Sequence, residues 1–489
     1  MKSFLNHLSE GKASTAILCF ATVVCLSFFF FFAATQSPSF YPYFNDEFLY
    51  FLDAKAFAFD HRLMSTVLID DRESWIGPFG AHGFSYMFIY GTWMSFFPNL
   101  PIYIFHLFLV IFAAILIACG KLTRRKKWLA ILLITTHPIF AYFTFSYMVE
   151  TIQGVFAVMA TLLLIQVYTT TAKFKWSLWG YILIVLALSL IRATWVFWLI
   201  GLLPLATSKR QLVGASLLLL SSVGISFYAF KLTHAPFETG FIPALFKLFT
   251  QGDWLEAIRY FFSHLGKNLY QYFRYIYTPY YFIMKYLIVF GGIWLIWQGK
   301  RKRDQVLVAG GLIAFTNWLV VMVWYDAFEW RDIRVLASVY GLGMLLLVFR
   351  QQFRVAYLCL VLHLGFMPFL WQDSYSQHLE RADLVAQFST DEQLKSAIAE
   401  LQQQITQDES HIYISDEFFK PGNILPTHLP VVGNAAQRLV YSIQFDEAFI
   451  ENRRGNYFLI LPEMRCSAGH IVMKNEYFQL IRLAPLPKE

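Results

Sequence analysis

From Ala13 to Asn45 the chain carries no charged side chain. The stretch Ala13–Thr35 alone exceeds the roughly 20 apolar residues that one bilayer-spanning helix needs. It also outruns the ~7–15 residue apolar core of a signal peptide, so it reads as an uncleaved anchor. Similar runs recur along the 489 residues, roughly at 102–120, 128–147, 151–171, 177–193, 195–207, 211–230, 281–298, 306–325, 335–349 and 355–371. Only 15% of the residues are charged, against about 25% in a soluble domain. The uninterrupted runs exclude a β-barrel, whose strands alternate apolar and polar residues. The expected class is mainly α: a polytopic membrane bundle of about eleven crossings.

Charge sets the expected sidedness. Lys121 with Arg124–Lys127, Lys173 with Lys175, Lys209 with Arg210, Lys300–Arg303, and Arg350 with Arg354 occupy alternate loops. All fall on one side if the N-terminus lies there too, which gives an N-in, C-out topology. The same grouping explains the net charge of +7 without nucleic acid as a partner. Pro98, Asn99 and Pro101 interrupt the uncharged stretch 74–120. A full crossing by Phe84–Phe97 would invert every later loop, so this segment is expected to be an interfacial or partly inserted helix.

Three parts then face outward: loop 36–82, loop 231–280 and the tail 372–489. The expected division is a membrane domain, 1–371, and a small C-terminal α/β domain, 372–489. Loop 231–280 mixes aromatic and basic residues as amphipathic surface helices do. The tail shows a polar helical run, Leu384–Gln407, and strand-like runs at His411–Ser415, Tyr457–Leu461 and Phe478–Leu483. The five cysteines form no disulfide framework or metal-ligand spacing. No phosphate-cradling glycine loop, His-Glu-x-x-His or Gly-x-Ser-x-Gly occurs, which argues against nucleotide hydrolysis and serine hydrolysis.

The residues that bear chemistry gather on the expected outer side. Asp46 and Glu47 open an aromatic-rich helix with Tyr50. The plainer reading is a helix start, where acids are favoured. The other is a general base for a hydroxyl or amine, or a metal-holding carboxylate. Glu150 is the only formal charge between Lys127 and Lys173. Arg192 is isolated in the same way between Lys175 and Lys209. It either snorkels or grips a phosphate through its guanidinium fork. Arg331 and Arg334 share a helix face; they can hold a phosphate or be neutralised by Glu329 and Asp332. His82 sits beside the acidic loop. His137 and His363 lie in apolar runs, where helix-to-helix hydrogen bonds are the usual explanation.

This set resembles the GT-C superfamily of integral-membrane glycosyltransferases, and most closely the protein O-mannosyltransferase and lipid A aminoarabinose transferase group. Asp46, Glu47 and Tyr50 match that family's opening Asp-Glu-x-x-Tyr-like motif. Ala81–Tyr86 looks similar to its His/Pro segment, without the usual Pro-Pro or Pro-Leu. Glu150, Arg192, Arg331 and Arg334 fit later acidic and basic positions, although an Arg-Tyr pair common there is absent. The resemblance implies an inverting transfer of a sugar from a polyprenyl-phosphate donor to a lipid, glycan or protein acceptor. Asp46 would be the base, with Glu47 beside it and Glu150 assisting it or positioning a divalent metal. Arg192, Arg331 and Arg334, joined by Lys267 and Arg274, would hold the donor phosphate. It also implies a bacterial inner membrane and a site facing the periplasm. A polysaccharide polymerase or ligase, and a lipid-linked glycan transporter or flippase, are the alternatives left open.

Overall fold

The computed structural model describes residues 11–35, 45–69, 72–80, 82–120, 122–169, 176–235, 241–275, 279–325, 328–405, 411–419, 438–442, 455–464 and 469–483. The chain is a polytopic helical membrane protein with a small C-terminal α/β unit. Eight described helical stretches are long and apolar enough to cross a membrane. They lie in α1 (Gly11–Thr35), α4 (Ile102–Cys119), α7 (Glu150–Thr169), α9 (Lys209–Thr233), α12 (Pro279–Lys302), α13 (Gln305–Trp324), the stretch Asp332–Phe349 that ends in α14 (Ala337–Phe349), and α15 (Phe353–Thr390).

The remaining expected crossings differ in form. Residues 128–147 are not one helix. They are split between α5 (Arg124–Thr135) and α6 (Pro138–Phe143). Pro138 lacks the N–H that a continuing helix needs. His137 instead caps the new helix, its Nδ1 accepting from Ile139 N and Phe140 N at 3.2 and 3.4 Å. The 177–193 run forms α8 (Trp176–Ile191), only 16 residues long. The 195–207 run is a 13-residue 3-10 helix, Ala193–Leu205. At a rise of ~2.0 Å per residue it reaches roughly 26 Å, where an α-helix would reach about 20 Å. The Phe84–Phe97 stretch forms α3 (Ser85–Phe96), whose 12 residues are too few to span.

Loops 120–127, 299–304 and 350–354 meet at one end of the bundle. Arg125 donates to Tyr357 Oη at 3.3 Å, Lys126 stands over the Phe353 ring, and Arg350 pairs with Asp304 at 2.6 Å. Arg334 and Arg350 bracket α14, so the candidate site lies at the opposite end. Buried histidines tie the helices together. His137 Nε2 is 3.1 Å from Ala337 O, and His363 bridges Thr136 and Tyr340 at 3.2 and 2.8 Å.

Loop 231–280 contains two amphipathic helices, α10 (Phe241–Gln251) and α11 (Trp254–Arg274). Trp254, Leu255, Ile258 and Phe262 of α11 are exposed, whereas Ala257, His264, Asn268 and Tyr272 face the protein.

Among the described residues the C-terminal unit contains a mixed six-stranded sheet, ordered β1-β3-β2-β4-β6-β5. Its strands are β1 (Val67–Ile69), β2 (His411–Ser415), β3 (Arg438–Ser442), β4 (Tyr457–Ile460), β5 (Gly469–Lys474) and β6 (Gln479–Leu483). The first four pair in parallel, and β6 and β5 run antiparallel. The division at 371/372 is crossed twice. α15 runs through it without a break for 38 residues, about 57 Å at ~1.5 Å per residue and well beyond a bilayer core. The sheet also draws β1 from loop 36–82. Ile412 and Ile414 point to one face and Tyr413 to the other, as the strand period of two requires. The first face packs on α16 (Glu392–Gln404) and on Phe48, Leu49 and Leu52 of α2 (Asn45–Asp60). α2 thereby connects the sheet to the site.

Candidate functional site

α2 begins at Asn45, which puts Asp46 and Glu47 in its first turn. The two carboxylates diverge. Asp46 Oδ2 meets Arg334 Nη2 at 2.5 Å, with about a quarter of each side chain exposed (29% and 23%). Glu47 is fully buried; its Oε1 accepts from Tyr147 N at 2.5 Å and its Oε2 pairs with Arg381 Nη2 at 3.1 Å. Arg381 also donates to Phe145 O at 3.0 Å. Glu47 therefore fastens α2 to the α6–α7 turn and to the protruding part of α15.

Glu150 opens α7 with its side chain 1% exposed. Its Oε1 lies 3.8 Å from Arg192 Nη2 and 3.8 Å from Arg334 Nε. Both carboxylate oxygens lack a hydrogen-bond partner, and so does Arg334 Nε. The charges balance, two acids against two guanidiniums, but the contacts around Glu150 are longer than hydrogen bonds. A carboxylate removed from water in this way costs several kcal/mol unless something completes its bonding.

Arg192 precedes the 3-10 helix in extended conformation (φ −148°), so the switch from α8 to that helix aims it at Glu150. Arg334 is held differently. Asn268 Nδ2 donates to Met322 O and Tyr325 O at 2.9 and 2.6 Å, and Phe328 N donates to Asn268 Oδ1 at 3.0 Å. That clamp fixes the path into the 3-10 helix Trp330–Leu336. A capping box between Glu329 and Asp332 starts the helix. Glu329 and Asp332 thus engage each other, while Arg334 reaches Asp46 and Glu150. The Arg331 side chain lies outside the described residues.

Tyr50 Oη and His82 Nδ1 are 3.5 Å apart, the outer limit of a hydrogen bond, and their rings meet edge-on at 5.0 Å. Gly83, at φ +64°, leaves room for the His234 ring, which lies 2.8 Å from where a Cβ would sit. Burial raises the Asp46 carboxyl, but Arg334, helped by His82 and Arg192, more than offsets this and holds it below its ordinary range. Burial lowers His82 despite the pull of Asp46, so its ring is neutral at neutral pH. Burial, reinforced by Asp46, lifts the Tyr50 phenol well above its ordinary range.

Lys267 and Arg274 do not join these ion pairs. Both are exposed on α11, and Arg274 lies over the Tyr270 ring. Among the described residues no group of three or more His, Cys, Asp and Glu side chains could hold a metal ion. The Arg334 guanidinium already lies against both Asp46 and Glu150, which does not suit those carboxylates to sharing a divalent cation.

Several participants carried no sequence signal. Arg381 stands between Glu380 and Asp383 and looks like part of a solvated helix. Gln153 and Tyr86 are uncharged. They form a chain in which Trp195 Nε1 donates to Gln153 Oε1 and Gln153 Nε2 donates to Tyr86 Oη at 2.7 Å. Gln153 is one turn from Glu150, so this chain steadies the wall behind it.

No family model matches the sequence, and no curated protein matches it. Among solved structures, the chain is similar to ArnT from Cupriavidus metallidurans in the apo state, at a TM-score of 0.47 and 11% identity over 96% of this chain and 98% of that one. The same protein bound to undecaprenyl phosphate gives a TM-score of 0.47 and 11% identity over 96% and 97%. A likeness at that score and identity does not bear on function.

Proposed function

We propose that the chain is an inverting glycosyltransferase that moves a sugar from a polyprenyl-phosphate donor to a lipid, glycan or protein acceptor. The observation that carries this reading is the Asp46–Arg334–Glu150 arrangement, in which one guanidinium borders both acids at the end of the bundle remote from the basic loops. A site at that end suits a lipid-linked donor, and we place it on the periplasmic face of a bacterial inner membrane.

In this reading Asp46 takes the proton from the acceptor hydroxyl or amine. The acceptor forms a bond to the anomeric carbon from the face opposite the phosphate. The carbon–oxygen bond to phosphate breaks, and polyprenyl phosphate leaves with the electron pair. Arg334 and Arg192 stabilise the charge that grows on the leaving oxygen. Arg334 at rest lowers the basicity of Asp46. An arriving phosphate competes for that guanidinium, which frees the carboxylate as the donor is bound. The unpartnered Glu150 oxygens are placed to accept hydrogen bonds from sugar or acceptor hydroxyls.

The test is a mass profile of glycolipids and glycans from cells expressing wild type, Asp46→Asn or no protein. A sugar mass increment present only with wild type is expected. Full activity of Asp46→Asn at equal expression would remove the proposed base.

A further inference from the structure

A second feature lies within the bundle and reaches toward the end that carries the basic loops, apart from the candidate site. α12, α13, α14 and the start of α15 leave a partly open, apolar groove. Gly291, Gly292, Ala314, Gly343, Met344 and Cys359 are among its walls. Missing side chains make the groove. A Cβ added at Gly291 or Gly343 would meet nothing within 4 Å. An apolar space of this kind does not hold water well, and its lining atoms lose dispersion contacts while it is vacant. Beside a bilayer, the available filling is a hydrocarbon chain.

The rim narrows the choice. Leu295, Leu347 and Val355 line the groove near the helix ends. Lys300 follows Leu295 by about 7.5 Å along α12 at ~1.5 Å per residue. Arg350 comes one turn after Leu347, and Arg354 directly precedes Val355. Lys300, Arg301, Lys302, Arg303 and Arg354 are exposed. Asp304 is the acid within loops 299–305 and 350–354, and Arg350 holds it at 2.6 Å. An apolar slot thus opens beside a cluster of cations whose local acid is already engaged. Basic pockets between membrane helices are where anionic lipid headgroups bind.

We infer that this groove is a binding site for an anionic glycerophospholipid, with one acyl chain against Gly291 and Gly343 and the headgroup among Lys300–Arg303 and Arg354. The lipid completes the packing of α12 against α14 and α15. It is separate from the proposed sugar donor, whose phosphate belongs at the opposite end.

The test uses the full chain in nanodiscs of phosphatidylcholine with increasing phosphatidylglycerol. Thermal midpoints are measured, and native mass spectrometry counts retained lipids. The wild type should gain stability with phosphatidylglycerol and retain it in preference to phosphatidylcholine. Gly343→Leu fills the slot and should abolish both effects. Arg301→Gln with Arg354→Gln leaves the slot open and should weaken retention about fivefold per charge removed. If Gly343→Leu does not fold, this second variant decides the matter alone. Equal protection by phosphatidylcholine, or an unchanged phosphatidylglycerol response in the charge variant, would overturn the inference. So would preferential retention of an added polyprenyl phosphate, since that would give the groove to an isoprenoid tail.

Discussion

Asp46 and Asp53 stand two turns apart on α2, and burial pushes both carboxyls upward. They end on opposite sides of the ordinary range. Asp46 is brought below it by Arg334 at 2.5 Å. Asp53, at the sheet end of the helix, accepts from Thr66 N at 2.5 Å and rises to about 7. The nearby cation, Arg438, is paired with Glu73. The same helix therefore holds a charged carboxylate at its start and, at its sheet end, one that is about half protonated at neutral pH. Hydrogen bonds lower a buried carboxyl only part of the way at Asp53, whereas the guanidinium at Asp46 more than offsets burial.

The comparison is broken most severely at Asp46. Asp46→Asn keeps the size of the side chain and removes the base, so turnover should fall about 10²–10⁴-fold. Donor binding should survive, because the guanidiniums remain. Purified protein assayed at saturating donor would show this. A loss confined to KM would mean that Asp46 binds rather than reacts.

Arg334→Gln should come next, at about 10²–10³-fold in turnover. It also turns Asp46 into a residue of the Asp53 kind. With Arg334 present, Asp46 stays ionised to below its ordinary range, and its pairing stabilises the fold down to that pH. Without it, burial dominates and the carboxyl takes up a proton at higher pH. The acid limb of the residual activity should move upward. An unmoved limb would show that Arg334 does not set the charge on Asp46.

Glu47→Gln tests the other half of the first turn. Gln still accepts from Tyr147 N but loses the charged bond to Arg381, a cost of about 2–3 kcal/mol. The denaturation midpoint should fall while the acid limb of activity stays in place. A shifted limb at unchanged stability would move Glu47 from an anchor to a participant in proton transfer.

These residues also mark what could be read from the sequence. Eight of the expected crossings were legible because a bilayer demands long apolar runs, and α10 and α11 because their loop mixes aromatic and basic residues. β2, β4 and β6 were visible as apolar runs. β1, β3 and β5 were not: β1 has three residues, and β5 is mostly open to solvent with an irregular register at Ile471–Met473. The pairing of β1 with β3 joins residues more than 360 positions apart, and no local signal carries that. At the site, isolated charges in apolar surroundings stood out, so Asp46, Glu150, Arg192 and Arg334 were singled out, and the structure brings these four together. Arg381 was missed because neighbouring acids give it the look of a solvated face. Nor does sequence reveal what Asp46 and Glu47 each face: adjacent helix positions point about 100° apart, but their partners, Arg334 and Arg381, come from distant segments.

Asp53→Asn leaves the ion pairs of the site untouched, and it tests the sheet end of the comparison directly. In the unfolded chain an Asp carboxyl loses its proton near pH 4. In the folded protein it keeps the proton to about pH 7. Stability from this group is therefore complete below about pH 4 and is lost as the pH rises toward 7, by at most ~1.4 kcal/mol per pH unit. Asn cannot ionise and can still accept from Thr66 N, so the variant lacks this loss. His82, whose proton affinity burial lowers, acts in the opposite sense but contributes equally to both proteins and cancels in the difference. Denaturation midpoints measured from pH 5 to 8 should show the variant gaining on wild type up to about pH 7 and running parallel above it. Parallel curves throughout would mean that Asp53 is ionised in the folded state. The contrast with Asp46 would then rest on something other than the missing guanidinium.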